Sequence, residues 1–222
     1  MKAAVLFSGG KDSCYSLYLA KKKGYDIACL ISIFSKNKES YMFHTPSISQ
    51  VGHQANVMRI QLITKETEGV KEKELEDLTE VIKQVKEKYE IDTLVTGAIR
   101  SDYQLSRIKR ICDNLGLQCF NPLWQKNEVE YLQELIDNKF KVIITGVFAF
   151  PLDKSWLGRV INDKFIKEAK ILNEKYKIHI AGEGGEFETF VVDCPLFKKP
   201  LKIKNKKIFG EKNSWRMEVE IG

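Results

Sequence analysis

No stretch of this 222-residue sequence approaches the roughly 18 uncharged apolar residues that a membrane-spanning helix needs. The opening apolar run, Ala3–Phe7, is far too short for a secretory signal. Cysteine is sparse: Cys14, Cys29, Cys112, Cys119 and Cys194 are odd in number and contain no CxxC pair. That argues against a disulfide framework and against a cysteine-based zinc site. The three histidines, His44, His53 and His179, are far apart and form neither HExxH nor HxxxH. No Pro/Gly/Ser linker, internal repeat or low-complexity segment is present. Together these absences read as a cytoplasmic protein from a reducing compartment, with no membrane partner.

What remains is a chain with 43% hydrophobic and 30% charged residues, enough to bury a core without staples. Lys and Arg outnumber Asp and Glu by 36 − 30 = 6. The excess is mild: it permits an anionic partner, but nucleic acid is not expected. The pattern alternates strand and helix. Strands are expected at Lys2–Phe7, Ile27–Phe34, Ile60–Ile63 and Thr93–Gly97. Helices are expected at Cys14–Lys22, Gln50–Arg59, Lys71–Tyr89 and Ser101–Leu115, the last stopped by Gly116. This order predicts an α/β fold, a doubly wound parallel sheet with right-handed crossovers. Ligands of such sheets bind at the carboxyl ends of the strands. One rim should therefore carry Ser8–Ser13, a polar loop over Phe34–Gln50 that includes His44, Thr64–Gly69 and Gly97–Asp102. Past Pro122 the texture changes. Helices at Glu128–Asn138 and Asn162–Lys175 surround an apolar strand at Val142–Phe150. Short strands follow at Phe187–Val192, Leu201–Ile203, Lys207–Phe209 and Met217–Ile221. The expected division is 1–120 for a nucleotide-binding domain and 121–222 for a smaller α+β substrate domain, closely packed. Lys198–Lys212 holds seven lysines and one acid. It reads as an edge strand whose lysines discourage aggregation, with a docking surface as the alternative.

Three segments carry chemistry. Ser8-Gly9-Gly10-Lys11-Asp12-Ser13 joins the first strand to the first helix. Its glycines let backbone amides approach a ligand, the helix start supplies a positive dipole end, and Lys11 adds a charge. This is a phosphate cradle, yet neither GxxxxGK[ST] nor GxGxxG is present. Adenine is expected beside the second strand, near Ile33. Gly182-Glu183-Gly184-Gly185-Glu186-Phe187-Glu188-Thr189 packs three glycines and three acids into eight residues. Glu183 and Glu186 suit magnesium, general-base work or a cationic substrate group. Alternation sets Glu186 and Glu188 on one strand face. The third segment follows the Thr93–Gly97 strand: Gly97, Asp102, Tyr103, Gln104 and Arg107 lie on the ligand rim, although Ser101 or Asp102 would also serve as a helix cap. Cys14, at the start of a helix, is read as a small core residue. Trp156-Leu157-Gly158-Arg159 is placed either at the substrate pocket or in the core.

The hexapeptide after an N-terminal strand resembles the loop of the N-type ATP pyrophosphatases, in the adenine nucleotide alpha-hydrolase superfamily. That resemblance implies a HUP-type ATP-binding domain and cleavage of ATP between its alpha and beta phosphates. SGGKDS at 8–13, GAIRSDYQLSR at 97–107, NPLW at 121–124, WLGR at 156–159 and GEGGEFET at 182–189 together resemble the diphthine–ammonia ligases. This narrower resemblance implies ATP-dependent amidation of diphthine, a modified histidine of elongation factor 2, by ammonia. The products would be diphthamide, AMP and pyrophosphate, reached through an acyl-adenylate. It further implies an archaeal-type short form, with eukaryotic relatives carrying extra C-terminal domains. ATP and magnesium are the expected cofactors, with Ser8, Gly9, Gly10, Lys11, Asp12, Ser13, Ile33 and Gly97 on the nucleotide. Lys11, Asp12, Glu183 and Glu186 are the expected catalytic groups. Asp102, Tyr103, Gln104, Arg107, Trp156, Glu183, Glu186 and Thr189 are the expected substrate contacts. No metal ligands are assigned, and a homodimer is left open. The alternative reading is a tRNA-modifying ATP pyrophosphatase that adenylates a base. Many such enzymes carry paired cysteines, which this chain lacks.

Overall fold

A computed structural model describes residues 1–35, 50–68 and 71–222. The expected loop over 36–49, with His44, and residue Gly69 of the rim lie outside the described residues. The first half is a parallel sheet of five strands. These are β1 (Lys2–Leu6), β2 (Asp26–Ser35), β3 (Leu62–Thr67), β4 (Thr93–Val95) and β5 (Gln118–Phe120). Their spatial order is β3-β2-β1-β4-β5, and every described pair is parallel. Helices α1 (Lys11–Lys22), α2 (Val51–Met58), α3 (Lys71–Tyr89) and α4 (Asp102–Leu115) connect them. The order reverses between β1 and β4. A crevice opens at such a switch point, beyond the strand ends.

Local chemistry explains most boundaries. The α4 helix starts where the Ser101 hydroxyl accepts the Gln104 N–H at 3.3 Å. It stops at Gly116, whose φ of 61° is a left-handed conformation. Helix α5 (Glu128–Asp137) is capped by Asn127 and helix α6 (Asp163–Tyr176) by Asn162. Three strands differ most from their sequence pattern. The β5 strand has no counterpart in the sequence reading, because three residues are too short to show a period. The β3 strand runs to Thr67 rather than stopping at Ile63, so the expected rim loop begins later. The two short lysine-flanked strands are one, β8 (Ile203–Glu211).

The second sheet is antiparallel, in the order β7-β6-β9-β8. It is built from β6 (Lys141–Val147), β7 (Phe187–Asp193), β8 and β9 (Ser214–Ile221). The β8 strand lies at its edge and is exposed along nearly its whole length. One continuous core joins the halves: Val5 of β1 and Leu17 of α1 pack in one cluster with Leu135 of α5, Ile144 of β6 and Val191 of β7. A second core lies under α3 and α4, and a third lies on the far side of the antiparallel sheet. No helix among the described residues is long and apolar enough to cross a membrane.

One junction between the sheets runs through Gln54 of α2, which is fully buried. Its amide nitrogen donates to the Gly9 carbonyl at 2.9 Å and to the Val191 carbonyl at 2.8 Å. The Gln54→Leu variant keeps the volume but leaves both carbonyls without this donor. At about 0.5–1.5 kcal/mol for each hydrogen bond lost, its urea midpoint should fall below wild type. An unchanged midpoint would show that the junction does not depend on Gln54.

Candidate functional site

A cavity of about 410 Å³ opens at the switch point, between the carboxyl ends of β1 and β4 and the start of β7. Ser8, Gly10, Lys11, Asp12 and Ser13 form one wall. Ile31 and Ile33 of β2 form an apolar side, and Thr96, Gly97, Ser101 and Gln104 form the other side. Gly182 to Gly185, with Phe187, Glu188 and Thr189, close it from the antiparallel sheet.

The phosphate loop is shaped by both sheets. Helix α1 begins at Gly10 with no side chain of its own capping it. Instead the Lys11 N–H donates to the Thr189 hydroxyl, 3.0 Å away on β7. Gly9 has a φ of 78°, a left-handed turn that glycine adopts freely, and its carbonyl accepts the Val191 N–H at 3.0 Å. The Ser13 hydroxyl accepts the Ser8 N–H at 3.2 Å, closing the loop on itself. Gly97 marks a second close approach: a Cβ there would lie 2.9 Å from the Asp12 carbonyl carbon.

Charge is concentrated on the loop. Lys11 is only 3% exposed. Its ammonium contacts both Asp12 carboxylate oxygens at 2.9 Å and lies 3.9 Å from Glu183. The rings of Tyr131 and Phe187 flank it, each 5.8 Å away. The Tyr131 hydroxyl donates to Asp12 at 2.8 Å, and burial followed by the Asp12 charge raises its pKa. Burial and the negative charge of Asp12 push the Glu183 carboxyl up to about 7, against the pull of Lys11. Burial likewise pushes Glu188 up to about 8, opposed by Arg216.

The cavity thus brings together Ser8, Gly10, Lys11, Asp12, Ser13, Ile33, Gly97, Gln104, Glu183 and Thr189 of the expected site. It does not include the others as lining groups. Gly9 shapes the loop from behind. Glu186 lies in the turn instead, its two oxygens accepting His179 N–H and Gly184 N–H at 2.8 Å each. Trp156 is buried edge-on against Phe165, with the Arg159 guanidinium over its ring at 4.0 Å. Tyr103 and Arg107 stack on one another at 3.5 Å outside the cavity, and Asp102 sits in the exposed first turn of α4. Cys14 is fully buried, its thiol pushed up by burial, in keeping with a core residue.

Three residues in contact with the site escaped the sequence reading: Gln54, Tyr131 and Glu128. Glu128 accepts from the Ala181 N–H at 2.9 Å and pairs with His179 and Arg100, tethering the segment that leads into Gly182. Burial alone would raise its pKa, but these partners hold it below the ordinary value. Glu128 and Tyr131 are three apart on α5 and share a face. That spacing is the one signal available, and it is equally a signal of ordinary packing.

Residues 1–119 match the model of the diphthamide synthase N-terminal domain, and residues 127–220 match that of the diphthamide synthase C-terminal domain. The diphthine–ammonia ligase of Bos taurus is 36% identical over 229 residues, covering 94% of this chain and 85% of that protein. The protein of the same name from Mus musculus is 37% identical over 224 residues, covering 91% and 83%. The one from Saccharomyces cerevisiae is 31% identical over 231 residues and covers 89% of this chain, but only 34% of its own length. Substantial extra length is thus seen in this relative and in that of Schizosaccharomyces pombe, of which 37% is covered, but not in the Bos taurus and Mus musculus proteins, so the expectation of extra domains in eukaryotic relatives holds only for some of them. With a loop-and-turn cavity shared between its two sheets, and with matches that run through both, the chain belongs to the diphthamide synthase family.

Proposed function

We propose that this chain is an AMP-forming ligase that amidates diphthine with ammonia at the expense of ATP, and that the protein bearing diphthine is elongation factor 2. The observation that carries this reading is a cavity walled by the Ser8–Ser13 loop on one side and by the Gly182–Thr189 segment on the other. Adenylation needs a phosphate cradle, and amidation needs a polar chamber beside it. In this reading residues 1–120 bind the nucleotide and 121–222 present the diphthine side chain. The alternative, adenylation of a tRNA base, gains nothing from the site, since none of the five cysteines lines the cavity.

In this mechanism Ser8, Gly10 and Ser13 hold phosphate oxygens at the start of α1, where the helix end favours negative charge. Ile31 and Ile33 pack against the adenine. Among the described residues no group of three or more His, Cys, Asp or Glu could hold a metal ion. Magnesium would therefore be held largely by phosphate oxygens and water. The Asp12 side chain, 31% exposed, is the protein group placed to add an oxygen. There the ion would offset phosphate charge. Tyr131 and Lys11 fix the Asp12 carboxylate in position. Glu183 lies across the cavity from Ser8 and Ser13 and supplies negative charge where a cationic diphthine and its nucleophile would gather. Glu186 holds the glycine turn that carries Glu183.

Turnover with diphthine-bearing elongation factor 2 should release AMP and pyrophosphate. Oxygen label placed in the diphthine carboxylate should appear in AMP. Label found only in water or pyrophosphate would exclude an acyl-adenylate.

Stability should report Glu183 directly. A carboxyl with an ordinary pKa of 4.5 that is held at about 7 binds its proton more tightly when folded. Its contribution is therefore fully favourable below about pH 4.5 and is lost as pH rises through about 7. Urea midpoints of the nucleotide-free protein should decline across that window, and less steeply in Glu183→Gln. Identical slopes would show that Glu183 is an ordinary solvated acid.

The Glu186→Gln variant turns an amide NH2 toward one of the two backbone donors that the carboxylate now satisfies. It should cost about 1–3 kcal/mol of stability and leave the identity of the products unchanged. Loss of amidation with full stability would return Glu186 to the chemistry.

A further inference from the structure

Glu188 is the acid of the Gly182–Thr189 segment to which no role has been given. It is the second residue of β7, where it pairs with Gly146 of β6, and Gly146 in turn pairs with Arg216 of β9. Paired residues in antiparallel strands present their side chains to the same face. Glu188 and Arg216 therefore share a face, two strand spacings apart, across a glycine that brings no side chain between them. The pair is not closed: Glu188 Oε2 and Arg216 Nε are both shielded from solvent without a hydrogen-bond partner. The Arg216 guanidinium lies over the Phe148 ring at 5.1 Å. Glu188 also lines the cavity. Glu186, two residues earlier, has spent both oxygens on backbone amides. A carboxylate oxygen that is buried without a partner, on a residue that also lines a reaction chamber, is costly unless a ligand or a proton completes it.

We propose that Glu188 is the base that takes the proton from the incoming nitrogen nucleophile during amide formation. This rests on the reading of the chain as an ammonia-dependent ligase. Near neutral pH ammonia is present mainly as ammonium, which has no lone pair to attack with. Ammonium donates a proton to the Glu188 carboxylate, leaving ammonia and a carboxylic acid. The nitrogen lone pair then forms the C–N bond at the acyl carbon. The bond from that carbon to the AMP oxygen breaks, its electron pair leaving with AMP. The nitrogen loses its second proton to the departing phosphate, and Glu188 returns its own to solvent. The surroundings suit this task. Burial holds Glu188 at about 8, while Arg216 from β9 is the charge that draws it down. At pH 7 the carboxylate is then the minority form, but its basicity approaches that of ammonia, as proton exchange with ammonium requires. Ammonium seated beside the carboxylate would favour its charged form further.

Three measurements on wild type and Glu188→Gln test this. The first is exchange of labelled pyrophosphate into ATP with diphthine-bearing elongation factor 2 and no nitrogen donor. The second is amide formation with ammonium chloride at pH 7. The third is hydroxamate formation with hydroxylamine, which is already neutral at that pH. Glu188→Gln should exchange pyrophosphate like wild type, form amide about 100-fold more slowly, the scale of a lost general base, and form hydroxamate at close to the wild-type rate. Amidation by ammonium within about twofold of wild type would overturn the proposal. So would an equal loss with hydroxylamine, which marks a structural role. A raised KM for the protein substrate with unchanged kcat would overturn it too, by making Glu188 a recognition group. If wild type itself exchanges no pyrophosphate, the ligase reading fails, and it fails separately from the role of Glu188.

Discussion

The structure turns on the contact between the outer edge of β7 and the phosphate loop. The β7 strand ends its sheet, so one side of its backbone has no neighbouring strand among the described residues. An open edge of that kind normally needs cover. Here the cover is the loop itself: Val191 N–H meets the Gly9 carbonyl, Thr189 meets the Lys11 amide, and Gln54 binds carbonyls on both sides. Each bond contributes only about 0.5–1.5 kcal/mol net. All lie in buried surroundings, however, where leaving a polar group unmade costs more than making it gains. The two sheets are thereby held in one register, and the cavity between them is a by-product of that register.

The electrostatics of the cavity follow from how it is walled. Asp12, Glu183 and Glu188 all line it; Lys11 sits beside the first two, and Arg216 is the cation that acts on the third. Lys11 lies closest to Asp12, so the two remaining carboxyls are only partly compensated, and burial raises both. The chamber thus carries acids that hold or release protons near neutrality. The loop wall, with its helix end and serine hydroxyls, is suited to anions. One cavity therefore has two electrical characters, a few residues apart.

Most of the first sheet was legible because each strand is an apolar run ended by turn or cap residues. Ser101 and Gly116 bounded α4, and SGGKDS stood between β1 and α1. The β5 strand was not legible, since three residues exhibit no period and Gln118–Phe120 is recognisable only once β4 is beside it. The acids of the second segment show a subtler failure. Alternation groups Glu186 with Glu188, but β7 begins at Phe187. Glu186 therefore belongs to the turn, where it folds back onto amides, and Glu188 is the one governed by the strand. Gln54, Tyr131 and Glu128 carry no motif at all. Their importance comes from what approaches them in space, from α2 and from α5, and sequence spacing does not encode that approach.

The start of α1 has one further consequence. Its first amide is capped by a threonine 178 residues further along the chain, not by the residue before the helix. The shape of the loop is therefore a property of the whole chain and not of its signature hexapeptide. A fragment ending near residue 120 would keep the letters SGGKDS and lose the partner that sets the helix end, along with the Val191 amide that fixes Gly9. Transplanting the hexapeptide into another strand–helix unit would meet the same difficulty. Two distant stretches must therefore change in concert, the loop around Gly9 to Lys11 and the strand from Thr189 to Val191, for either to drift without opening the site.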